Sequence, residues 1–180
     1  MTKDKNFIGS QIKKALKEKG HSAIWLAEEI HCKRRNVYDI FHRDSLDTAQ
    51  LLKISLALKT NFFVYFYEIY EKMMYKTKYV TRKIHYIPQD EIHIGSLIKN
   101  KLEENEHTVN WLAEKIHCKR SNLYHIFNNR SSMDTARLLQ ISIVLQTNFF
   151  VYYCELYKNI ISERLSPSVQ SKYQRSVGQI

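Results

Sequence analysis

The chain has 180 residues, 44% of them hydrophobic, which is enough to build one folded domain or two small ones. Its formal net charge of +10 at pH 7 favours a polyanionic partner such as nucleic acid, although charge alone fits a membrane surface or an acidic protein equally well. Three cysteines are too few for a disulfide framework, and we find no secretory signal and no apolar run that could span a membrane, so we expect a cytoplasmic protein.

The sequence pattern predicts helices. Only four glycines and two prolines occur, and apolar residues seldom alternate, which favours an all-α fold class. Ile8, Ile12 and Leu16 lie four residues apart and indicate a first amphipathic helix that ends near Gly20. Ser22 is placed to cap a second helix, and a third is expected from about residue 33 to residue 42.

A fourth and a fifth helix follow in the same pattern. Asp47 and Asn61 are placed to cap them. The fifth helix is unusual, because residues 62–70 are apolar or aromatic on nearly every face. Such a helix should be buried on more than one side, and a domain of about 65 residues covers only one of them.

The five-helix pattern occurs twice. Residues 8–71 align with residues 94–158 at an offset of 86 that becomes 87 after an insertion near Arg130, and about 39 of the 63 positions from 8 to 70 are identical. Two copies are too few for a solenoid, so we expect two similar domains or one pseudo-symmetric body. The predicted organisation is a first unit at 1–71, a basic linker at 72–93, a second unit at 94–160 and a poorly ordered polar tail at 161–180.

The duplication suggests what covers the second side of each aromatic helix. It is either the matching helix of the sister repeat, which would make the chain an intramolecular pseudo-dimer, or the same helix of another chain. A core helix that happens to be rich in aromatics remains the alternative, as do two independent domains. The residues assigned to a domain–domain interface are Phe62, Phe63, Tyr67, Tyr70, Phe149, Phe150, Tyr153 and Tyr157.

The most similar segments of the two copies are residues 25–41 and 111–127. Each contains two short apolar patterns separated by about three residues, which indicate two short helices around a tight turn. In the first copy the second of these helices begins with Lys33, Arg34 and Arg35. This arrangement is typical of a helix-turn-helix that places basic side chains in a DNA groove.

The shared pattern Leu-Ala-x-x-Ile-x-Cys-Lys-Arg-x-Asn-x-Tyr-x-Ile-Phe, followed by Asp-Thr-x-x-Leu-Leu-x-Ile-Ser-x-x-Leu, resembles the phage-repressor (XRE) class of helix-turn-helix domains. It looks most like a bacterial subset with an Asn-Phe-Phe closing segment. The resemblance covers roughly two thirds of the chain and implies a five-helix fold, sequence-specific duplex DNA binding and a role in transcription. The usual turn glycine is replaced by His31 and His117. Since histidine tolerates the left-handed backbone better than most residues, we expect an intact turn.

Carried over by position, the resemblance assigns base contacts in DNA to three residues of each copy: Arg34, Arg35 and Asp39, and Arg120, Ser121 and His125. Arginine pairs bidentately with guanine, whereas serine and histidine make less exclusive contacts. The copies differ at two of the three positions, either because they read different half-sites or because an exposed surface has drifted.

A second group of side chains suits contacts to phosphates, which position a domain without reading sequence. Asn36 has the alternative of bonding its own helix, and Tyr38 and Tyr124 have the alternative of packing at the domain edge. The assigned residues are Lys33, Asn36, Tyr38, Arg43, Lys119, Asn122, Tyr124 and Arg130.

Other chemistries find little support in the sequence. One copy supplies only the adjacent His31 and Cys32 as metal ligands, whereas zinc sites use four at characteristic spacings, so we expect no metal and no cofactor. No catalytic constellation is present, and we expect no enzyme. Two rivals to specific DNA binding remain: a protein-binding or antitoxin-like regulator on the same fold, and non-specific nucleic-acid binding driven by charge. Further homodimerisation stays open.

Overall fold

The computed structural model describes residues 7–76, 93–128 and 133–165. These residues form an all-helical fold with one isolated antiparallel β-bridge, which confirms the all-α prediction. Ten helices follow in chain order: α1 Ile8–Glu18, α2 Ala23–Glu29, α3 Arg34–Ile40, α4 Thr48–Ala57, α5 Phe63–Lys76, α6 Ile94–Glu104, α7 Val109–Lys115, α8 Arg120–Phe127, α9 Thr135–Val144 and α10 Phe150–Leu165.

The predicted helix caps are present. Ser22 Oγ accepts a hydrogen bond from the backbone N–H of Trp25 at 3.1 Å, and Asp47 Oδ1 accepts one from that of Ala49 at 2.9 Å. These bonds satisfy N–H groups that the first turn of a helix leaves without a partner. The predicted cap Asn61 also accepts a backbone N–H bond, as do the matching residues of the second half: Thr108, Asp134 and Asn148.

Two helices extend beyond the predicted unit boundaries. Helix α5 continues to Lys76 and α10 to Leu165, each five residues past the expected end. For α5 the reason is continued burial, because Met74 is only 3% exposed and follows the buried Tyr70 by one helical turn. The remainder of the predicted linker, from residue 77 to 92, and the tail from residue 166 lie outside the described residues.

In each half the first and third helices approach closely at a glycine. A Cβ atom built on Gly9 would overlap the carbonyl oxygen of Ile40, and one on Gly95 would overlap that of Ile126. The backbone N–H of Gly9 also donates to the carbonyl oxygen of Arg43 at 3.0 Å. The glycine therefore sets the distance between α1 and the end of α3, and the second half repeats this contact.

We predict that Gly9→Ala destabilises the fold by about 1–3 kcal/mol or more, because the added methyl meets backbone that cannot move aside. Chemical denaturation measures this change. The matched control is Gly20→Asn, since Gly20 has φ of 71° with open space around it and asparagine tolerates that backbone. Equal losses from the two substitutions would contradict the close-contact explanation.

The two halves meet through a short backbone pairing. Asp47 and Asp134, the caps of α4 and α9, form the antiparallel bridge. The N–H of Thr48 donates to the carbonyl of Met133, and the N–H of Thr135 donates to that of Leu46, both at 2.8 Å. Because Thr48 matches Thr135 and Leu46 matches Met133 in the repeat, each bond becomes the other when the halves are exchanged.

Aromatic rings also take part in this contact. Phe63 stacks on Tyr153 with ring centroids 4.6 Å apart, and Phe66 stacks on Phe150 at 5.2 Å. In the aligned repeats Phe63 matches Phe150 and Phe66 matches Tyr153, so the two stacks also interchange. One continuous hydrophobic core results, with buried residues from both halves.

Most of the residues expected at a domain–domain interface are buried. Phe63, Phe150 and Tyr153 take part in the stacks across the two halves, and Phe66 joins them although it was not among the predicted residues. Of the other predicted residues, three are buried and two partly exposed: Phe62, Tyr70 and Phe149, and Tyr67 and Tyr157.

Side-chain hydrogen bonds across the halves break the exchange symmetry. The hydroxyl of Tyr153 donates to Thr48 Oγ1 at 3.0 Å, and its counterpart Phe66 has no hydroxyl to do the same. Burial raises the pKa of Tyr153, so the phenol stays a neutral donor at physiological pH. Asn148 Nδ2 donates to Glu71 Oε1 at 3.1 Å, where the residue matching Glu71 is Lys158.

We predict that Phe63→Ala lowers the free energy of unfolding of the whole chain by about 3–5 kcal/mol and preserves one cooperative transition, because both halves share the core that contains this ring. Calorimetry with comparison of calorimetric and van't Hoff enthalpies tests this. Val64→Ala, at a neighbouring position that is 42% exposed, is the control and is expected to change stability by less than about 0.5 kcal/mol. Two separate transitions would show that the halves fold independently.

Candidate nucleic-acid interface

The turn between α2 and α3 has the left-handed backbone expected for a helix-turn-helix. His31 has φ of 54° and His117 has φ of 50°, so histidine occupies the position at which glycine was expected from the resemblance. In the first half the N–H of His31 donates to Glu28 O at 3.1 Å and that of Cys32 to Ala27 O at 2.8 Å. These bonds close the end of α2 and turn the chain into α3. Cys32 itself is half-buried against the core.

Helix α3 divides cleanly into a buried face and an exposed face. Val37 and Ile40 are at most 2% exposed and hold the helix against the domain. Helix α8 is held in the same way by Leu123 and Ile126. All six residues assigned to base contacts lie on the exposed faces: Arg34, Arg35, Asp39, Arg120, Ser121 and His125.

The residues assigned to phosphate contacts are also exposed wherever the structure describes them. They are Lys33, Asn36, Tyr38 and Arg43 in the first half, and Lys119, Asn122 and Tyr124 in the second. Arg130 lies outside the described residues. Within each half, then, the structure brings both groups of candidate residues to the same surface, on and around one short helix.

A tyrosine supports the arginine at the start of each of these helices. The guanidinium of Arg34 lies 5.5 Å from the ring centroid of Tyr38, and its Nη2 donates to the Tyr38 hydroxyl at 3.1 Å. Tyr38 also meets the buried Phe41 edge to face, at 5.9 Å between centroids. Tyr38 therefore links Arg34 to the core. Tyr38 follows Arg34 by four residues, a spacing that brings two side chains together on one face of a helix and is visible in the sequence.

The matching arginine in the second half is held differently. Arg120 lies 5.6 Å from the ring centroid of Tyr124, and its Nη1 donates to Asn110 Oδ1 at 3.4 Å. Asn110 belongs to α7 and is exposed. It was not among the predicted site residues, because a contact between residues ten apart on two helices leaves no local sequence signal.

A groove lies between the second and third helices of each half. The groove of the first half has a volume of about 830 Å³ and is lined by Ala27, Glu28, His31, Cys32, Lys33 and Asn36. The corresponding groove of the second half measures about 590 Å³ and includes the matching Glu114, His117, Cys118 and Lys119. Each groove carries a carboxylate beside its lysine, so its charge does not by itself select an anion.

Within the described residues, no group of three or more His, Cys, Asp or Glu side chains could hold a metal ion, and every helix is too short or too polar to cross a membrane. Comparisons with protein-family models, with curated proteins and with solved structures found no match. The resemblance to the XRE class therefore stays a prediction from the residues.

We predict that His31→Gly raises the stability of the fold by up to about 1 kcal/mol. Glycine removes the left-handed strain of roughly 1–2 kcal/mol, and its greater freedom in the unfolded chain offsets part of that gain. His42→Gly is the control, since His42 is exposed without a positive φ, and it is expected to lower stability. Urea denaturation measures both. A loss of stability for His31→Gly would mean that the imidazole makes contacts worth more than the strain.

Proposed function

We propose that this protein binds duplex DNA sequence-specifically through α3 and α8, with the two helix-turn-helix units acting as a pseudo-dimer within one chain, and that it regulates transcription. The observation that carries the proposal is the presence, in both halves, of a short helix whose buried face anchors it and whose exposed face presents a tyrosine-supported arginine. A pre-positioned guanidinium is suited to bidentate pairing with guanine in the major groove.

The contacts between the halves support the pseudo-dimer. The backbone bridge and the two aromatic stacks interchange when the repeats are exchanged, as the contacts of a twofold interface do. DNA-binding dimers of this architecture read two half-sites about one helical turn apart, roughly 34–36 Å. We expect the same spacing here, with both half-sites read by one chain.

Two side-chain hydrogen bonds favour pairing within the chain over pairing of identical units. Tyr153 donates to Thr48 across the interface, and two first units paired together would have Phe66 in place of Tyr153 and could not form this bond. Asn148 donates to Glu71, and two second units would have Lys158 in place of Glu71, which accepts no hydrogen bond. Both bonds form together only when a first unit pairs with a second unit.

Selection of bound duplexes from a random DNA pool at near-physiological salt tests the proposal. Two half-motifs at a fixed spacing are the expected result. Two motifs at variable spacing would keep specific DNA binding and overturn the pseudo-dimer. The absence of any enriched sequence, together with steep salt dependence, would favour non-specific binding through the +10 charge.

The protein-binding alternative makes a different prediction. If DNA contact is secondary, reversing the charge of the two supported arginines with Arg34→Glu and Arg120→Glu leaves function intact. Both side chains are exposed, so these substitutions are not expected to disturb the core. Under the proposal the double variant loses specific DNA binding while its unfolding transition is unchanged.

We predict that Arg34→Ala weakens binding to the selected duplex by about 1–3 kcal/mol and relaxes preference at one base pair. Lys33→Ala is the matched substitution at the neighbouring exposed position, and it is expected to weaken all duplexes about equally and to reduce the salt dependence by about one charge. Competition binding against single-base variants of the duplex separates the two effects. The reverse pattern would overturn the assignment of base and phosphate contacts.

A further inference from the structure

We propose that the DNA site of this chain is directional. The half-site contacted by α3, one arm of the site, strictly requires guanine and cytosine, whereas the arm contacted by α8 tolerates several bases. The inference rests on the proposed function and adds to it the base chemistry of each arm and the orientation of the chain on the duplex.

The exposed faces of α3 and α8 differ in hydrogen-bonding character. Helix α3 presents Arg34 and Arg35, which only donate and match the O6 and N7 acceptors of guanine, and Asp39, which only accepts and matches the N4 donor of cytosine. At the places of Arg35 and Asp39, α8 presents Ser121 and His125, which can both donate and accept. Side chains of that kind tolerate several bases.

The two faces nevertheless carry the same net charge. Two arginines and one aspartate leave α3 with a single positive charge at these positions, and Arg120 leaves α8 with a single positive charge when His125 is neutral. Attraction to the phosphate backbone depends on charge and not on hydrogen-bonding pattern. The substitutions between the repeats therefore change base discrimination more than they change overall attraction to DNA.

The arginine that both faces share also has different hydrogen-bond partners in the two halves. Arg34 bonds along its own helix to Tyr38 at 3.1 Å, whereas Arg120 bonds across to Asn110 of α7 at 3.4 Å. The residue that matches Asn110 is Ile24, which is 48% exposed and has no side-chain acceptor. The two guanidinium groups thus point to different partners before DNA is bound, which adds to the difference between the arms.

The supporting backbone does not explain these differences. Three pairs of matching residues have positive φ in both halves, at Gly20 and Glu106, His31 and His117, and Lys59 and Gln146. The bridge and stacks between the halves interchange as well. Both halves therefore present their helices in the same way, and the side chains alone decide what each arm requires.

The test begins with the duplex selected by the wild-type chain, from which two symmetrised duplexes are made by doubling each arm. The variant Ser121→Arg/His125→Asp gives α8 the base-facing residues of α3. We expect this variant to prefer the duplex with two stringent arms over the selected duplex, with at least about a tenfold change in relative affinity compared with wild type. The control Ser121→Ala/His125→Ala removes the same side chains without adding donors or acceptors and is not expected to gain this preference.

The reciprocal variant Arg35→Ser/Asp39→His makes α3 resemble α8 and should shift preference to the other symmetrised duplex. All four positions are exposed, and unfolding curves check that each variant folds; if one does not, the reciprocal variant decides the question. Two identical arms in the wild-type selection, or unchanged preferences in the variants, would overturn the inference and leave specific DNA binding standing. No enriched duplex at all would overturn the proposed function as well.

Discussion

The structure depends on the pairing of α5 with α10, since each helix buries aromatic side chains against the other. Phe63 and Phe66 of one stack on Tyr153 and Phe150 of the other, and the removal of this aromatic surface from water stabilises both halves together. The backbone bridge at the start of α4 and α9 adds directional hydrogen bonds to this non-directional attraction. Together they fix how one half lies against the other.

Short contacts within each half then set the orientation of the exposed helices α3 and α8. Gly9 lets α1 touch the end of α3, and the left-handed residue His31 sets the turn by which α3 leaves α2. Both devices recur in the second half. A helix of seven or eight residues is marginal alone, so α3 and α8 owe their orientation to these contacts rather than to their own stability.

Joining the two units in one chain has a consequence for the proposed DNA binding. A dimer of separate subunits dissociates on dilution, whereas covalently connected units remain at a high effective concentration. Duplication also frees the two surfaces to differ, since a substitution in one copy is not repeated in the other. The interface differs between the halves at Tyr153, because the matching Phe66 cannot form the hydrogen bond that Tyr153 makes to Thr48. The exposed faces of α3 and α8 differ at Arg35 and the matching Ser121.

The sequence by itself determined the all-α class, the repeat, the helix caps and the exposure of the candidate DNA-contacting residues, because periodicity and capping act over a few neighbouring residues. Ser22 and Asp47 cap as expected for this reason. Only the tertiary structure decided the bond of Asn110 to Arg120, ten residues away, and that of Tyr153 to Thr48, 105 residues away. Such pairs depend on how whole helices pack, and packing sums many weak contacts that no local pattern encodes.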